Sequence, residues 1–164
     1  PEKGQSCFVD AWERAARPNW RAVLVGDGAE RPALEERIRS AGLEVELAGF
    51  QPEPRMKTYY SAADLVCLPS TEEGWPNVLM ESYACGCPWV ASDVGGVGEI
   101  LALVGAGALV PHSDPAALAD ALTNALDRDW DRDAIAAKVA DHSLDATARS
   151  YVATCAAAAA GPPD

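Results

Sequence analysis

Two glutamates, Glu73 and Glu81, stand on either side of the point where a helix should begin, within Ser70-Thr71-Glu72-Glu73-Gly74-Trp75-Pro76-Asn77-Val78-Leu79-Met80-Glu81. Gly74 permits a tight or left-handed backbone, Pro76 has a φ already suited to a first helical position, and Val78, Leu79, Tyr83 and Ala84 recur at helical spacing. A helix therefore starts near Pro76. Its first amides have no intrahelical acceptor and sit at the positive end of the peptide dipoles, so they can hold a phosphate without a lysine. At roughly 1.5 Å rise per residue, Glu81 lies about 7–8 Å along the axis beyond that anion site, and Glu73 precedes it. An ionised carboxylate only accepts hydrogen bonds, and its two oxygens can take both hydroxyls of a vicinal diol. The available chemistry is a diphosphate held between two sugars, a ribose gripped by one acid and a hexose by the other. Taken alone, a loop Glu and a helix Glu at this spacing are ordinarily solvated surface residues, so the neighbouring sequence must decide.

Those residues need a rigid frame, and the periodicity supplies one. Residues from about Gly4 to Ala16 read as a helix with Phe8, Trp12 and Ala15 on one face, followed by a buried strand, Ala22-Val23-Leu24-Val25. Helical and strand patterns then alternate: helix over Glu30 to Ala41, strand over Val45 to Ala48, helix over Glu53 to Ser61, strand over Leu65 to Leu68. After the helix from Pro76 come a strand at Trp89-Val90-Ala91, a turn or short helix over Gly95 to Leu101, and a strand over Ala108 to Val110. Helical patterns follow over Pro115 to Leu126, Arg132 to Ala140 and Leu144 to Ala159. This alternation with apolar strands predicts an α/β fold, a Rossmann-like doubly wound parallel sheet covered on both faces. Such sheets bind ligands at the carboxyl ends of their strands. Gly26-Asp27-Gly28, Gly49-Phe50-Gln51, Ser70 to Gly74 and Asp93 to Gly96 all follow strands, so four loops should converge on one edge. By itself Gly26-Asp27-Gly28 says no more than a strand-to-helix turn.

The chain of 164 residues suits one domain, read as residues 1–155, with a low-complexity tail over 156–164. A formal net charge of −12 argues against partners that are nucleic acid or anionic membrane, so any phosphate must be held locally. Cys7, Cys67, Cys85, Cys87 and Cys155 lack zinc-ligand spacing and mostly lie in apolar runs, which reads as buried reduced thiols and suits a cytoplasmic setting. His112 and His142 belong to no motif and read as surface or packing residues. No stretch is long enough to span a bilayer.

Continuing through Ser82-Tyr83-Ala84-Cys85-Gly86-Cys87-Pro88-Trp89-Val90-Ala91-Ser92-Asp93-Val94-Gly95-Gly96-Val97-Gly98-Glu99, the chain resembles the donor domain of the retaining GT-B glycosyltransferases of family 4. That family carries P-S-x-x-E-G-x-P-N-x-x-x-E-x-x-A-x-G-x-P-V-V-A-x-x-x-G-G-x-x-E. Pro69, Ser70, Glu73, Gly74, Pro76, Asn77, Glu81, Ala84, Gly86, Pro88, Val90, Ala91, Gly95, Gly96 and Glu99 fall on it. Trp75 stands where Phe, Leu or Tyr is usual, and Trp89 replaces a small β-branched residue. The resemblance extends through Leu24 to Gly28, Leu47 to Phe50, Tyr60 to Val66 and Gly107 to Pro111, most of the chain.

The resemblance implies the C-terminal half of a GT-B fold and a nucleoside-diphosphate sugar as donor substrate, with no cofactor and no metal. In its terms Glu73 is the catalytic-site acid that orients the donor sugar, and Glu81 holds the ribose. Lys3, Gly74, Trp75, Pro76, Asn77, Val78 and Leu79 would bind the donor diphosphate and sugar, with Lys3 and the amides of Asn77, Val78 and Leu79 steadying the departing charge. Phe50 and Gln51 are candidates for contacting the base; plain core packing is an equal reading for Phe50. The family's partner Arg and the first, central strand would lie upstream of Pro1, so the resemblance also implies a sheet lacking that strand, marginal alone or closed by altered pairing. The N-terminal acceptor-binding domain would be absent too, and any membrane association would be made through it. Two further readings stay open: a sugar-nucleotide epimerase of the same architecture, and a non-catalytic nucleotide-sugar-binding module.

Overall fold

A computed structural model describes residues 2–142; the expected helix over Leu144 to Ala159, Cys155 and the tail 156–164 lie outside the described residues. The elements alternate as the periodicity requires. They run α1 (Gln5–Ala15), β1 (Ala22–Val25), α2 (Arg31–Ser40), β2 (Val45–Gly49), α3 (Glu53–Ala62), β3 (Val66–Leu68) and α4 (Asn77–Ala84). Then follow β4 (Trp89–Ser92), α5 (Val97–Val104), β5 (Gly107–Val110), α6 (Pro115–Leu126), α7 (Arg132–Val139) and a 3₁₀ turn at Ala140–His142. No helix among the described residues is long and apolar enough to cross a membrane.

Successive strand residues point to opposite faces, and each face has its own helical layer. On one side Ala22, Leu24, Val45, Leu47, Cys67, Val90, Ala108 and Val110 pack with Phe8, Trp12, Leu34, Ile38, Leu118 and Leu122 of α1, α2 and α6. On the other, Val66, Leu68, Trp89, Ala91 and Leu109 pack with Leu79, Tyr83, Val97, Ile100 and Ile135 of α4, α5 and α7. Trp89 is wholly buried and its ring lies 5.3 Å from that of Tyr83. Gly107 leaves the room for it, since a Cβ there would meet the Trp89 carbonyl oxygen at 2.2 Å and its ring at 3.2 Å.

Every strand pair is parallel, as expected of a doubly wound fold. Among the described residues the ladders form two sheets, β1-β2 and β3-β4-β5. Among the described residues no altered pairing joins β1 to β3; helices α1 and α6 span the two sheets instead, through the shared apolar layer. Two local expectations shift. Pro76 is the N-cap of α4 rather than its first residue, because its ψ of 99° is extended. The turn or short helix expected over Gly95 to Leu101 is a full helix to Val104, burying Val97, Ile100 and Val104 and stopped by left-handed Gly105.

Candidate functional site

Glu73 sits in the loop that leaves β3, and backbone contacts from two sides fix it. On one side, the Thr71 amide donates to the Glu2 carbonyl at 2.8 Å, strapping the N-terminal segment along the loop. Left-handed Gly4 makes that approach possible, since a Cβ there would lie 1.9 Å from the Pro69 carbonyl oxygen. On the other, the Gly96 amide donates to the Gly74 carbonyl at 2.8 Å, and a Cβ on left-handed Gly95 would lie 1.8 Å from the Glu73 carbonyl oxygen. Gly74 itself has neither a left-handed φ nor any neighbour within 4 Å of a Cβ position, so the left-handed turn anticipated there falls at Gly95.

The Glu73 carboxylate is tied down on one oxygen. Its Oε1 accepts from Ser70 Oγ at 2.7 Å and from Lys3 Nζ at 2.7 Å. The Glu73 side chain is 10% exposed and that of Lys3 56%, so the acid is held in the wall and the ammonium stands above it. Lys3 has three donors and spends one on Glu73. It can therefore bind an anion while keeping its contact with the acid.

The start of α4 is open. No side chain caps it, Asn77 is exposed, and the Leu79 amide turns back to the Pro76 carbonyl at 3.1 Å. Of the three amides expected to face a diphosphate, Leu79 thus has a local acceptor, which leaves Asn77 and Val78. Further along, exposed Glu81 accepts from Tyr60 Oη of α3 at 3.0 Å through its Oε2. Burial, reinforced by the neighbouring carboxylate, pushes the Tyr60 phenol well above its ordinary range, so it remains a donor at any physiological pH. Trp75 is 47% exposed, with its ring edge against the backbone of Gly96.

The loops after β1 and β2 join each other: the Gly26 amide donates to Gly49 at 2.8 Å, and Asp27 folds onto the Gly28 amide at 2.8 Å. Phe50 is 77% exposed and so is not core. Gln51 turns its amide nitrogen to the Ala48 carbonyl at 2.7 Å, which leaves its side-chain oxygen as the group available to a ligand. The four loops therefore come in two pairs, and the described hydrogen bond that bridges toward Glu81 comes from α3. Among the described residues no group of three or more His, Cys, Asp or Glu is placed to hold a metal. His112 touches Ser113 and His142 is exposed, while burial raises the thiols of Cys7, Cys67 and Cys87 away from nucleophilic range.

Three residues join the site that sequence reasoning gave no role. Ser70 was visible only as part of the motif, and Tyr60 and Arg132 act across folds of the chain. The Arg132 guanidinium donates to the carbonyls of Ala63 at 2.7 Å, Tyr60 at 3.2 Å, Ser61 at 3.2 Å and Cys85 at 3.3 Å, closing the C-terminal ends of α3 and α4 together.

Comparison with known proteins gives a consistent result. The family described as glycosyl transferases group 1 matches residues 1–128. A 2-deoxystreptamine N-acetyl-D-glucosaminyltransferase of Streptomyces fradiae is 33% identical over 147 residues, covering 85% of this chain and 35% of that protein. A D-inositol 3-phosphate glycosyltransferase of Corynebacterium urealyticum is 37% identical over 121 residues, covering 72% of this chain and 28% of its own length. The chain thus spans about a third of these relatives. Among solved structures, Anabaena HepE in complex with UDP superposes with a TM-score of 0.76 at 29% identity, over 96% of this chain and 46% of that one.

Proposed function

Because the chain belongs to the glycosyl transferases group 1 family, we propose that it is the donor-binding part of an enzyme that transfers a sugar from a nucleoside diphosphate to an acceptor hydroxyl. One observation carries the assignment of roles: Glu73 and Glu81 flank the uncapped start of α4, with Lys3 already on Glu73. The UDP complex of HepE supports the donor class. In this reading the Asn77 and Val78 amides and Lys3 hold the diphosphate, Glu81 accepts from the ribose diol, and Glu73 offers Oε2 to the donor sugar. The bond from the anomeric carbon to the phosphate oxygen breaks, and a bond to the acceptor oxygen forms on the same face. The departing phosphate takes the acceptor's proton, so configuration is retained with no general base from this chain and no metal. Acceptor recognition falls to residues outside it, in keeping with the third of its relatives that it spans.

The test is acceptor-dependent release of nucleoside diphosphate by the protein that carries this chain, given a UDP-sugar and a panel of hydroxyl acceptors. Hydrogen bonds to a charged acceptor are worth roughly 1.5–3 kcal/mol, so Glu81→Ala should weaken donor binding about 10- to 100-fold. Glu73→Ala should lower kcat more than it weakens binding. Binding without release would make the chain a sensor of nucleotide-sugars. Two variants that bind and turn over like the unaltered protein would overturn the assignment.

A further inference from the structure

We infer that Tyr60 is a positioning residue for the ribose site: its phenol fixes the Glu81 carboxylate in the one orientation that accepts both hydroxyls of a vicinal diol. The inference rests on the reading of Glu81 given above. Glu81 is exposed on α4, and an exposed Glu samples many rotamers that a ligand must select among. Tyr60 Oη meets Oε2 at 3.0 Å and removes that freedom before any ligand arrives. A carboxylate has about four acceptor positions, and the phenol occupies one of those on Oε2. Oε1 and the second position of Oε2 remain, a pair of acceptors for a pair of neighbouring hydroxyls.

The phenol can do this because it is itself immobile. The Tyr60 residue is only 5% exposed, and its carbonyl accepts from Arg132, which also holds the Cys85 carbonyl at the end of α4. One guanidinium thus sets the distance between the helix that carries the phenol and the helix that carries the acid. A tyrosine that merely satisfied its own hydroxyl would need none of this, since a carbonyl or water serves as well.

The test is equilibrium binding by calorimetry to the protein that carries this chain. The probes are uridine, guanosine and adenosine diphosphates, the 2′-deoxy and 3′-deoxy forms of whichever binds most tightly, and inorganic pyrophosphate. With the unaltered chain, each deoxy form should bind about tenfold more weakly than its ribo parent. Glu81→Ala should erase that ratio. Tyr60→Phe, which keeps the ring buried and deletes only the oxygen, should reduce the ratio about threefold or more while leaving pyrophosphate affinity unchanged. The double variant should discriminate no worse than Glu81→Ala alone, because Tyr60 acts through that acid. If Glu81→Ala keeps the ratio, or no diphosphate binds the folded protein, the ribose reading fails and the inference with it. If Glu81→Ala erases the ratio and Tyr60→Phe preserves it, only the role of Tyr60 is overturned. A fall in pyrophosphate affinity equal to that for the nucleotides would show a general structural role instead, and would also overturn it.

Discussion

At the scale of single residues, the candidate site is a set of carboxylate oxygens whose orientation is settled by buried partners. Glu73 shows it most plainly, because wholly buried Ser70 and half-exposed Lys3 converge on the same Oε1 and leave Oε2 to the donor. Ser70→Ala removes a hydrogen bond to a charged acceptor worth roughly 1.5–3 kcal/mol but no charge and no bulk at the surface. If Glu73 acts by orienting the donor sugar at the transition state, kcat should fall about tenfold with KM nearly unchanged, as steady-state kinetics would show. A rise in KM with kcat intact would place the Ser70 contact in ground-state binding. The acids themselves were legible in the sequence because Gly74, Pro76 and Asn77 mark a helix start between them. Lys3 entered through the resemblance alone, and the pairings of the acids with Lys3 and Tyr60 were not legible. Tyr60 precedes Glu81 by 21 residues and reaches it only because α3 and α4 lie side by side. Lys3 pairs with an acid 70 residues away, and no local spacing encodes that.

At the scale of elements, helix ends decide how the site is framed. The strand Ala22–Val25 and the helix Pro115–Leu126 have the bounds their sequences predict, the latter because Asp114 accepts from the Ala116 and Ala117 amides at 3.0 Å just ahead of Pro115. The length of α5 was harder to read, since its apolar run continues past Leu101 and only Gly105 stops it. Helix C-termini leave carbonyls that something must satisfy, and α7 supplies cations to three of them. Arg132 closes α3 and α4, and Lys138 Nζ donates to the Val104 carbonyl of α5 at 2.6 Å. That role is invisible along the chain, because Arg132 and Lys138 reach carbonyls 34 to 72 residues away and no local spacing names them. Arg132→Met should cost about 2–3 kcal/mol, less than the sum of its hydrogen bonds because water reaches part of the site. For a chain of this length the melting midpoint should drop by roughly 5–10 °C in a circular-dichroism melt. Arg132→Lys should recover only part of the loss, since one ammonium cannot span carbonyls at the ends of two helices. Full recovery with lysine would mean that charge alone, and not the planar fork, holds α3 against α4.

At the scale of the whole molecule, the two sheets are joined by helices rather than by backbone. Leu24 of β1 and Val90 of β4 share the apolar layer of Phe8, Trp12, Leu118 and Leu122, yet no ladder runs from β1 to β3 among the described residues. Apolar packing is non-directional and yields gradually, whereas a ladder ties each residue to its neighbour, so the two sheets have different means of staying closed. β4 has partners on both sides, with Trp89, Val90 and Ala91 wholly buried. Among the described residues β1 has one partner, and Val23 is 44% exposed on the face away from the shared layer. Regions with few buried contacts and exposed backbone open before the rest of a protein, which makes β1-β2 the weaker unit. Native-state hydrogen exchange on this chain should therefore find the β4 amides the slowest. The β1 amides directed at β2 should be at least tenfold less protected, about 1.4 kcal/mol in opening free energy, and those directed at the open edge should exchange faster still. Equal protection in β1 and β4 would show that α1 and α6 couple the two sheets into one cooperative unit. The base-contact candidates Phe50 and Gln51, which follow β2, would then be as rigidly held as Glu73.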